Sequence, residues 1–356
     1  VSIHAPEGPV LAVRLDSVGD MLVTGPAIRA LASRGRGVVL LAGPQGAAAG
    51  AMLPGVDEVI QWRCPWIVAD PPPVDTTSID DLVAPLRARS ISEAVVFTSF
   101  HQSALPTALV LQQAGIRTVT AISEDYPGSL LTTRVAPPGD VPEPERALAT
   151  AEAAGFTLPP GDDGRLLIRA DLLGGAVALG AAPFVVLHPG ATAPSRTWPA
   201  HRWEEAVDVL VRRGVRTVVT GGPGETDLCA RLARRGAIDL SGATSLVQLA
   251  RVLRDATAVV VGNTGPAHLA AAVGTPVVSL FSPVVPAARW APYGVPSVVL
   301  GDQDAPCRGS RARECPVPGH PCLTGVTAGD VVDALERLAP EALHEVAGPQ
   351  TEGGIA

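Results

Sequence analysis

The 356-residue chain contains no lysine; every one of its 27 basic residues is arginine. Aromatics are scarce, at 3% of the sequence, against 47% hydrophobic residues overall. Its cores must therefore be built from Val, Leu and Ala, a composition suited to buried parallel sheets covered by Ala-rich helices. No apolar run approaches the roughly 18 residues that a membrane span requires. The first residues, VSIHAPEG, lack the basic-then-apolar order of a secretion signal, so we expect a cytoplasmic protein. Five cysteines in a chain of this length do not make a disulfide framework. The net charge of −8 argues against a general nucleic-acid binder while leaving room for a local basic pocket.

The abundant features are 37 glycines, 35 prolines and a repeated alternation of short apolar runs with helical patterns. The length predicts two domains. Strands are expected over 10–15, 37–43, 93–100 and 116–122, with helices over 25–35, 104–115 and 145–155. The Pro-rich stretch 64–76 reads as a loop. A Gly/Asp-rich region places the domain boundary within 155–182, at about residue 165. The second half repeats the alternation more cleanly. Strands are expected over 184–190, 215–222, 257–263 and 275–281, and helices over 199–214, 226–236, 245–256, 265–274 and 328–339. Strand–helix alternation of this kind predicts an α/β chain with doubly wound parallel sheets, whose sites lie beyond the carboxyl ends of the strands.

Four stretches carry chemistry at such positions. RLDSVGD (14–20) follows the first strand with an Arg, two carboxylates and a Gly. HPGATAPSRTWP (188–199) combines Gly190 with Thr192, Ser195 and Arg196, a set that could cradle phosphate or serve as a plain polar loop. TGGPGETD (220–227) has the wrong spacing for a dinucleotide fingerprint. Its Glu225 could accept from a ribose diol or cap its own helix. GNTGPAHLAAAVGTP (262–276) opens a small-residue helix whose free N–H groups suit a diphosphate. His268 falls on that helix's first turn.

Together these motifs resemble family 9 glycosyltransferases, the family of ADP-heptose–lipopolysaccharide heptosyltransferases. The resemblance is carried by VRLDSVGDMLVTGPAIRAL near the start and by the three stretches of the second half. It implies a GT-B fold: two Rossmann-like doubly wound parallel-sheet domains facing a cleft. The N-terminal domain (1–165) would bind acceptor, the C-terminal domain (166–340) the nucleotide sugar, and residues 341–356 would form a disordered tail. It implies an inverting transfer of a sugar, heptose from ADP-heptose, to a glycan, lipid-linked or small-molecule hydroxyl.

The family's catalytic carboxylate falls on Asp20, which would take the acceptor proton. Arg14, Asp16 and Gly19 would stand on the acceptor side. On the donor side the resemblance implies Thr192, Ser195, Arg196, Glu225, Asn263, Thr264, Gly265 and His268. Arg196 stands where the family often has Lys, and Asn263 where Asp is common. No cofactor or metal is implied; the nucleotide sugar is a co-substrate. The partners expected are that donor and a hydroxyl acceptor, lipid-linked in one version and then reached from the inner membrane face. Neither nucleic acid nor a transmembrane segment is expected.

Two other readings remain open: a catalytically silent nucleotide-sugar-binding protein, and another GT-B enzyme such as a nucleotide-sugar epimerase. DQD (302–304) mimics a metal-binding Asp-x-Asp but lies after the last strand-like run. Cys307, Cys315, His320 and Cys322 invite a zinc reading, yet their spacing is not a standard zinc pattern.

Overall fold

A computed structural model describes residues 8–68, 70–175, 179, 180 and 182–340. The expected tail, 341–356, lies outside the described residues, as does part of the expected boundary region. The contacts cluster into two compact units. One holds the described residues up to Gly175 together with Thr264–Gly274 and Pro286–Gly294; the other holds the rest.

The first unit carries six strands: β1 (Val10–Arg14), β2 (Val38–Ala42), β3 (Glu58–Gln61), β4 (Glu93–Val96), β5 (Thr118–Ile122) and β6 (Thr133–Val135). They form one sheet in the order β3-β2-β1-β4-β5-β6, every pair parallel. The second unit carries β7 (Val185–His188), β8 (Thr217–Val219), β9 (Ile238–Asp239), β10 (Ala258–Gly262), β11 (Val277–Leu280) and β12 (Ser297–Leu300). Their order is β12-β11-β10-β7-β8-β9, again wholly parallel. Counted within its own unit, the second sheet has the same strand order as the first.

The sheet centres explain the valine-rich sequence. β1, β2, β4 and β10 are buried along their whole length, so both faces need apolar side chains and no polar alternation is possible. Such a sheet has one topological switch point, where the chain's order reverses and the crossovers leave on opposite faces. Here it falls between β1 and β4 in the first unit and between β7 and β10 in the second. The loops after these four strands flank the two crevices.

Several elements differ from the sequence expectation. A six-residue helix, Val18–Val23, precedes the expected one, which runs Gly25–Ala32. Ser17 and Asp20 start it early by a reciprocal bonding pattern at its N-terminus. The Pro-rich stretch is irregular as expected, but the helix Thr76–Ala88 follows at once. Its start is fixed by Asp75, which accepts from the Thr77 and Ser78 amides at 3.3 and 3.2 Å. Short edge strands β3, β6 and β9 lack the long apolar runs that identify buried strands. Among the described residues no helix is long and apolar enough to cross a membrane.

Candidate functional site

At the first switch point, β1 ends on Arg14, which is 1% exposed. A buried guanidinium needs anions around it. Its Nη2 donates to Asp20 Oδ1 at 2.8 Å and to Ser99 Oγ at 3.0 Å. Its Nε lies 2.9 Å from Asp16 Oδ2, without the alignment of a hydrogen bond. Asp20 also accepts at Oδ2 from the Ser17 hydroxyl (2.6 Å) and amide (3.2 Å), and at Oδ1 from Ser99 Oγ at 3.2 Å. Gln102 Nε2 donates to Asp16 Oδ1, and Gln102 Oε1 accepts from the Ser99 amide at 3.0 Å. The loops after β1 and β4 are thus tied together across the switch point.

The two aspartates are driven apart in acidity. Burial raises the Asp16 pKa to about 6, with Arg14 opposing and the Asp20 charge reinforcing the rise. Burial also acts on Asp20, but Arg14 and the two Ser17 hydrogen bonds outweigh it, holding its carboxyl below the usual range. Arg14 is itself desolvated, and the surrounding carboxylates more than compensate, raising its pKa. Behind this group the Glu143 carboxyl is pushed up by burial, and the Arg146 guanidinium down. Their Oε2 and Nη1 atoms are 3.7 Å apart.

A cavity of about 420 Å³ opens beyond the carboxyl ends of β4 and β5, with Gln102, Ser123, Glu124, Asp125, Arg146 and Arg289 in its wall. Gly19 does not line it. A Cβ on Gly19 would approach His268 Cδ2 to 3.0 Å, and one on Gly265 would approach Val18 Cγ1 to 3.1 Å. These glycines let the Val18–Val23 helix pack closely on the helix Gly265–Ala272, which groups with the first unit. His268 is 2% exposed and sits edge-on to Trp290, ring centroids 6.3 Å apart. Thr264 precedes that helix, half-buried and in extended conformation.

In the second unit, β7 ends on His188, whose Nδ1 is 2.9 Å from Thr220 Oγ1 after β8. Burial lowers its pKa to about 4, so the ring is neutral at ordinary pH. Glu225 lies nearby, its Oε2 4.0 Å from His188 Nε2 and 2.6 Å from the Gly222 amide that donates to it. This bond braces the Pro223–Glu225 turn; at the N-cap of the helix Thr226–Ala233 Glu225 makes no side-chain cap bond, and its carboxylate is about a quarter exposed. Thr192 is exposed and Arg196 half-buried. The Asn263 side-chain nitrogen, at the end of β10, is buried with no hydrogen-bond partner among the described residues.

Ser195 departs from its expected donor role. It is fully buried; its hydroxyl donates to the Ala312 carbonyl at 2.7 Å, its amide to Arg313 O at 3.0 Å, and its carbonyl meets His320 Nε2 at 3.0 Å. It fastens the cysteine-bearing loop and has no hydroxyl left for a phosphate. In that loop, Cys307 and Cys322 are buried and the Cys315 thiol donates to Val317 O at 3.4 Å. Among the described residues no three His, Cys, Asp or Glu side chains are placed to hold a metal ion. Asp302 and Asp304 of DQD stand in a surface turn, Asp302 accepting from the Asp304 amide at 2.9 Å and Asp304 pairing with Arg308.

The sequence model of glycosyltransferase family 9 (heptosyltransferase) matches residues 108–320, more than half of the chain. The chain belongs to glycosyltransferase family 9. Lipopolysaccharide heptosyltransferase 3 of Escherichia coli K12 is 30% identical over 167 residues, 44% of this chain and 47% of that enzyme. The chain thus spans about half the length of the curated relatives it matches. A family 9 glycosyltransferase structure from Veillonella parvula aligns with a TM-score of 0.74 at 17% identity, covering 94% of this chain and 97% of that one. The E. coli ADP-heptose LPS heptosyltransferase II aligns with a TM-score of 0.71 at 20% identity, covering 94% and 99%. These likenesses show a shared α/β fold, that of the GT-B enzymes.

Around the Arg14–Asp20 group and the adjoining cavity the structure places residues that sequence reading missed: Ser99 and Gln102 after β4, Glu124 and Asp125 after β5, and Glu143 with Arg146. The strand-end rule had the power to flag the first four. Nothing local marks Glu143 and Arg146, which reach the group only through packing of the Glu143–Ala153 helix.

Proposed function

We propose that the chain is an inverting, metal-independent glycosyltransferase that moves heptose from an ADP-linked donor onto a hydroxyl acceptor. The observation that carries this reading is the Asp20 carboxylate, kept ionised at the switch point by Arg14, Ser17 and Ser99. In this reaction the acceptor oxygen bonds to the anomeric carbon as the bond from that carbon to the diphosphate oxygen breaks. The acceptor proton passes to Asp20, and ADP leaves with the bonding pair. Arg14 spreads the Asp20 charge and Ser17 fixes its orientation. The buried amide nitrogen of Asn263, lacking a partner, supports a donor-sugar contact there. Arg196 would stabilise the charge on the departing diphosphate. A cytoplasmic enzyme reaching a lipid-linked acceptor from the inner membrane face fits this reading.

The test is ADP release and sugar transfer by the purified chain from a panel of nucleotide sugars, with EDTA present, beside Asp20→Asn. Turnover that survives EDTA and is lost in the variant supports the proposal. Turnover abolished by EDTA refutes metal independence.

One observation favours a second reading, a catalytically silent nucleotide-sugar-binding protein: both Asp20 oxygens already accept hydrogen bonds from the chain itself. On that reading Asp20 only holds the helix start. Asp20→Asn would then lower the melting temperature, and no nucleotide sugar would turn over in either form.

A further inference from the structure

We propose that Ser17 is a catalytic residue: its hydroxyl relays the acceptor proton to Asp20. The inference rests on the transferase reading above and deepens it by naming a second group that meets the reacting atoms.

A carboxylate offers about four acceptor positions, two on each oxygen. In Asp20 each oxygen already accepts two hydrogen bonds. Oδ1 accepts from Arg14 Nη2 at 2.8 Å and from Ser99 Oγ at 3.2 Å. Oδ2 accepts from the Ser17 hydroxyl at 2.6 Å and from the Ser17 amide at 3.2 Å. A substrate hydroxyl reaches this base only by displacing one of these donors or by acting through it.

Three of the four donors cannot serve as a path. The Arg14 guanidinium keeps its protons at any working pH. The Ser17 amide gives up no proton either, and it is fixed at the start of the Val18–Val23 helix. The Ser99 hydroxyl is 4% exposed, and its oxygen accepts from Arg14 Nη2 at 3.0 Å. The Ser17 hydroxyl differs on each count. Ser17 and Asp20 are both only half-buried. The bond to Oδ2 is the shortest of the four and has the length of a charge-assisted O–H···O⁻ contact. A hydroxyl oxygen has two lone pairs, and the reciprocal pattern at the helix start uses one at most, so the other can accept from a substrate hydroxyl.

In the relay the acceptor hydroxyl donates to Ser17 Oγ. As the acceptor oxygen bonds to the anomeric carbon, its proton moves to Ser17 Oγ and the Ser17 proton moves to Asp20 Oδ2. The bond from the anomeric carbon to the diphosphate oxygen breaks, and the nucleoside diphosphate keeps the pair. Ser17 ends as a hydroxyl and Asp20 as a neutral acid. Because the two protons move together, no serine alkoxide forms. The filled carboxylate that a silent protein would also show is then a working base.

The test follows nucleoside diphosphate release by the full chain from the panel of nucleotide sugars, ADP-heptose included. Methyl mannoside or water alone serves as acceptor, under single-turnover conditions, in mixtures of H₂O and D₂O. Two protons in flight make the rate bow downward as the deuterium fraction rises; one proton gives a straight line. Wild type should bow. Ser17→Ala should be slower by about 10²-fold and give a straight line, because Oδ2 is then open to direct transfer. Ser17→Thr restores a hydroxyl and should recover most of the lost rate together with the bow. Asn caps a helix as well as Ser does, so Ser17→Asn should hold the melting temperature while its rate stays at the Ser17→Ala level. Ser99→Ala removes a hydroxyl that meets Asp20 without relaying, so the bow should remain. A straight line in wild type, a Ser17→Ala rate within about threefold of wild type, or a bow lost equally in Ser99→Ala overturns the relay. If Asp20→Asn still abolishes turnover in those cases, the transferase reading survives with Asp20 taking the proton directly. No turnover of any donor by wild type overturns both.

Discussion

The Glu225 carboxylate rests against the bare face of Gly190: a Cβ on that glycine would fall 1.5 Å from Glu225 Oε1. Only the missing side chain allows the loop after β7 and the loop after β8 to share this space. Gly190→Ala should therefore displace Glu225 and loosen its bond to the Gly222 amide. If Glu225 contacts the ribose, ADP affinity should fall by about tenfold, a change of about 1.4 kcal/mol. Calorimetric titration of ADP checks this, with a melting curve showing that the variant still folds.

Asp20 should divide turnover from binding. Asp20→Asn keeps the shape and removes the proposed base, so on that proposal transfer should fall by about 10²–10⁴-fold while ADP affinity holds within a few-fold. Because the folded state holds the Asp20 pKa below its unfolded value, its ionisation stabilises the fold above the unfolded pKa. That contribution disappears as pH falls through the lower folded value, so Asp20→Asn should flatten the acid limb of the wild-type melting profile.

Asp16 works in the opposite direction. Its folded pKa is raised from 3.8 to about 6, so folding favours the protonated carboxyl. Its stabilisation is complete below the unfolded pKa and is lost as pH rises through about 6, an effect of at most about 3 kcal/mol. The melting temperature of Asp16→Asn relative to wild type should thus climb between pH 4 and pH 7.5. In the transferase assay, the wild-type rate should fall as pH drops through about 6, because a neutral Asp16 leaves Arg14 to Asp20 alone. That limb should vanish in Asp16→Asn.

Ser195→Ala should cost stability and leave the nucleotide alone. Losing the hydroxyl leaves the half-buried Ala312 carbonyl without this donor and unfastens the loop after β12, a loss of about 1 kcal/mol by urea titration. ADP affinity should move less than twofold, and a larger loss would return Ser195 to the donor site.

The fold was legible because its strongest signals are strand-length apolar runs broken by glycine. β1, β4, β7 and β10 all begin within a residue of where the pattern places them, since buried parallel strands have no polar face to blur it. β3, β6 and β9 sit at or near sheet edges, where mixed side chains are tolerated and the pattern fades. Arg14, Asp16 and Asp20 were visible as polar residues directly after an apolar run. Ser99, whose hydroxyl meets Asp20 across 79 positions of sequence, was hidden because only the β1–β4 pairing brings it there. Ser195 misled for a related reason: a loop hydroxyl beside an arginine reads the same whether it faces ligand or a carbonyl 117 residues away.

The Asp20–Ser99 and Asp16–Gln102 contacts also bear on the order in which the chain assembles. Their partners are 79 and 86 residues apart, so neither can form until β4 has docked beside β1, across the intervening β2 and β3. Closing so long a loop is a slow, entropically opposed step, and the reward comes only once the parallel pair is in register. The acidic cluster is therefore an end product of folding rather than a nucleus. An intermediate holding only β1, β2 and β3 would have native-like strands, with the Arg14–Asp16–Asp20 pairing open to water on the side that β4 later covers. Protection of the Ser99 amide from hydrogen exchange during refolding would appear together with that of β4 and after that of β1 and β2.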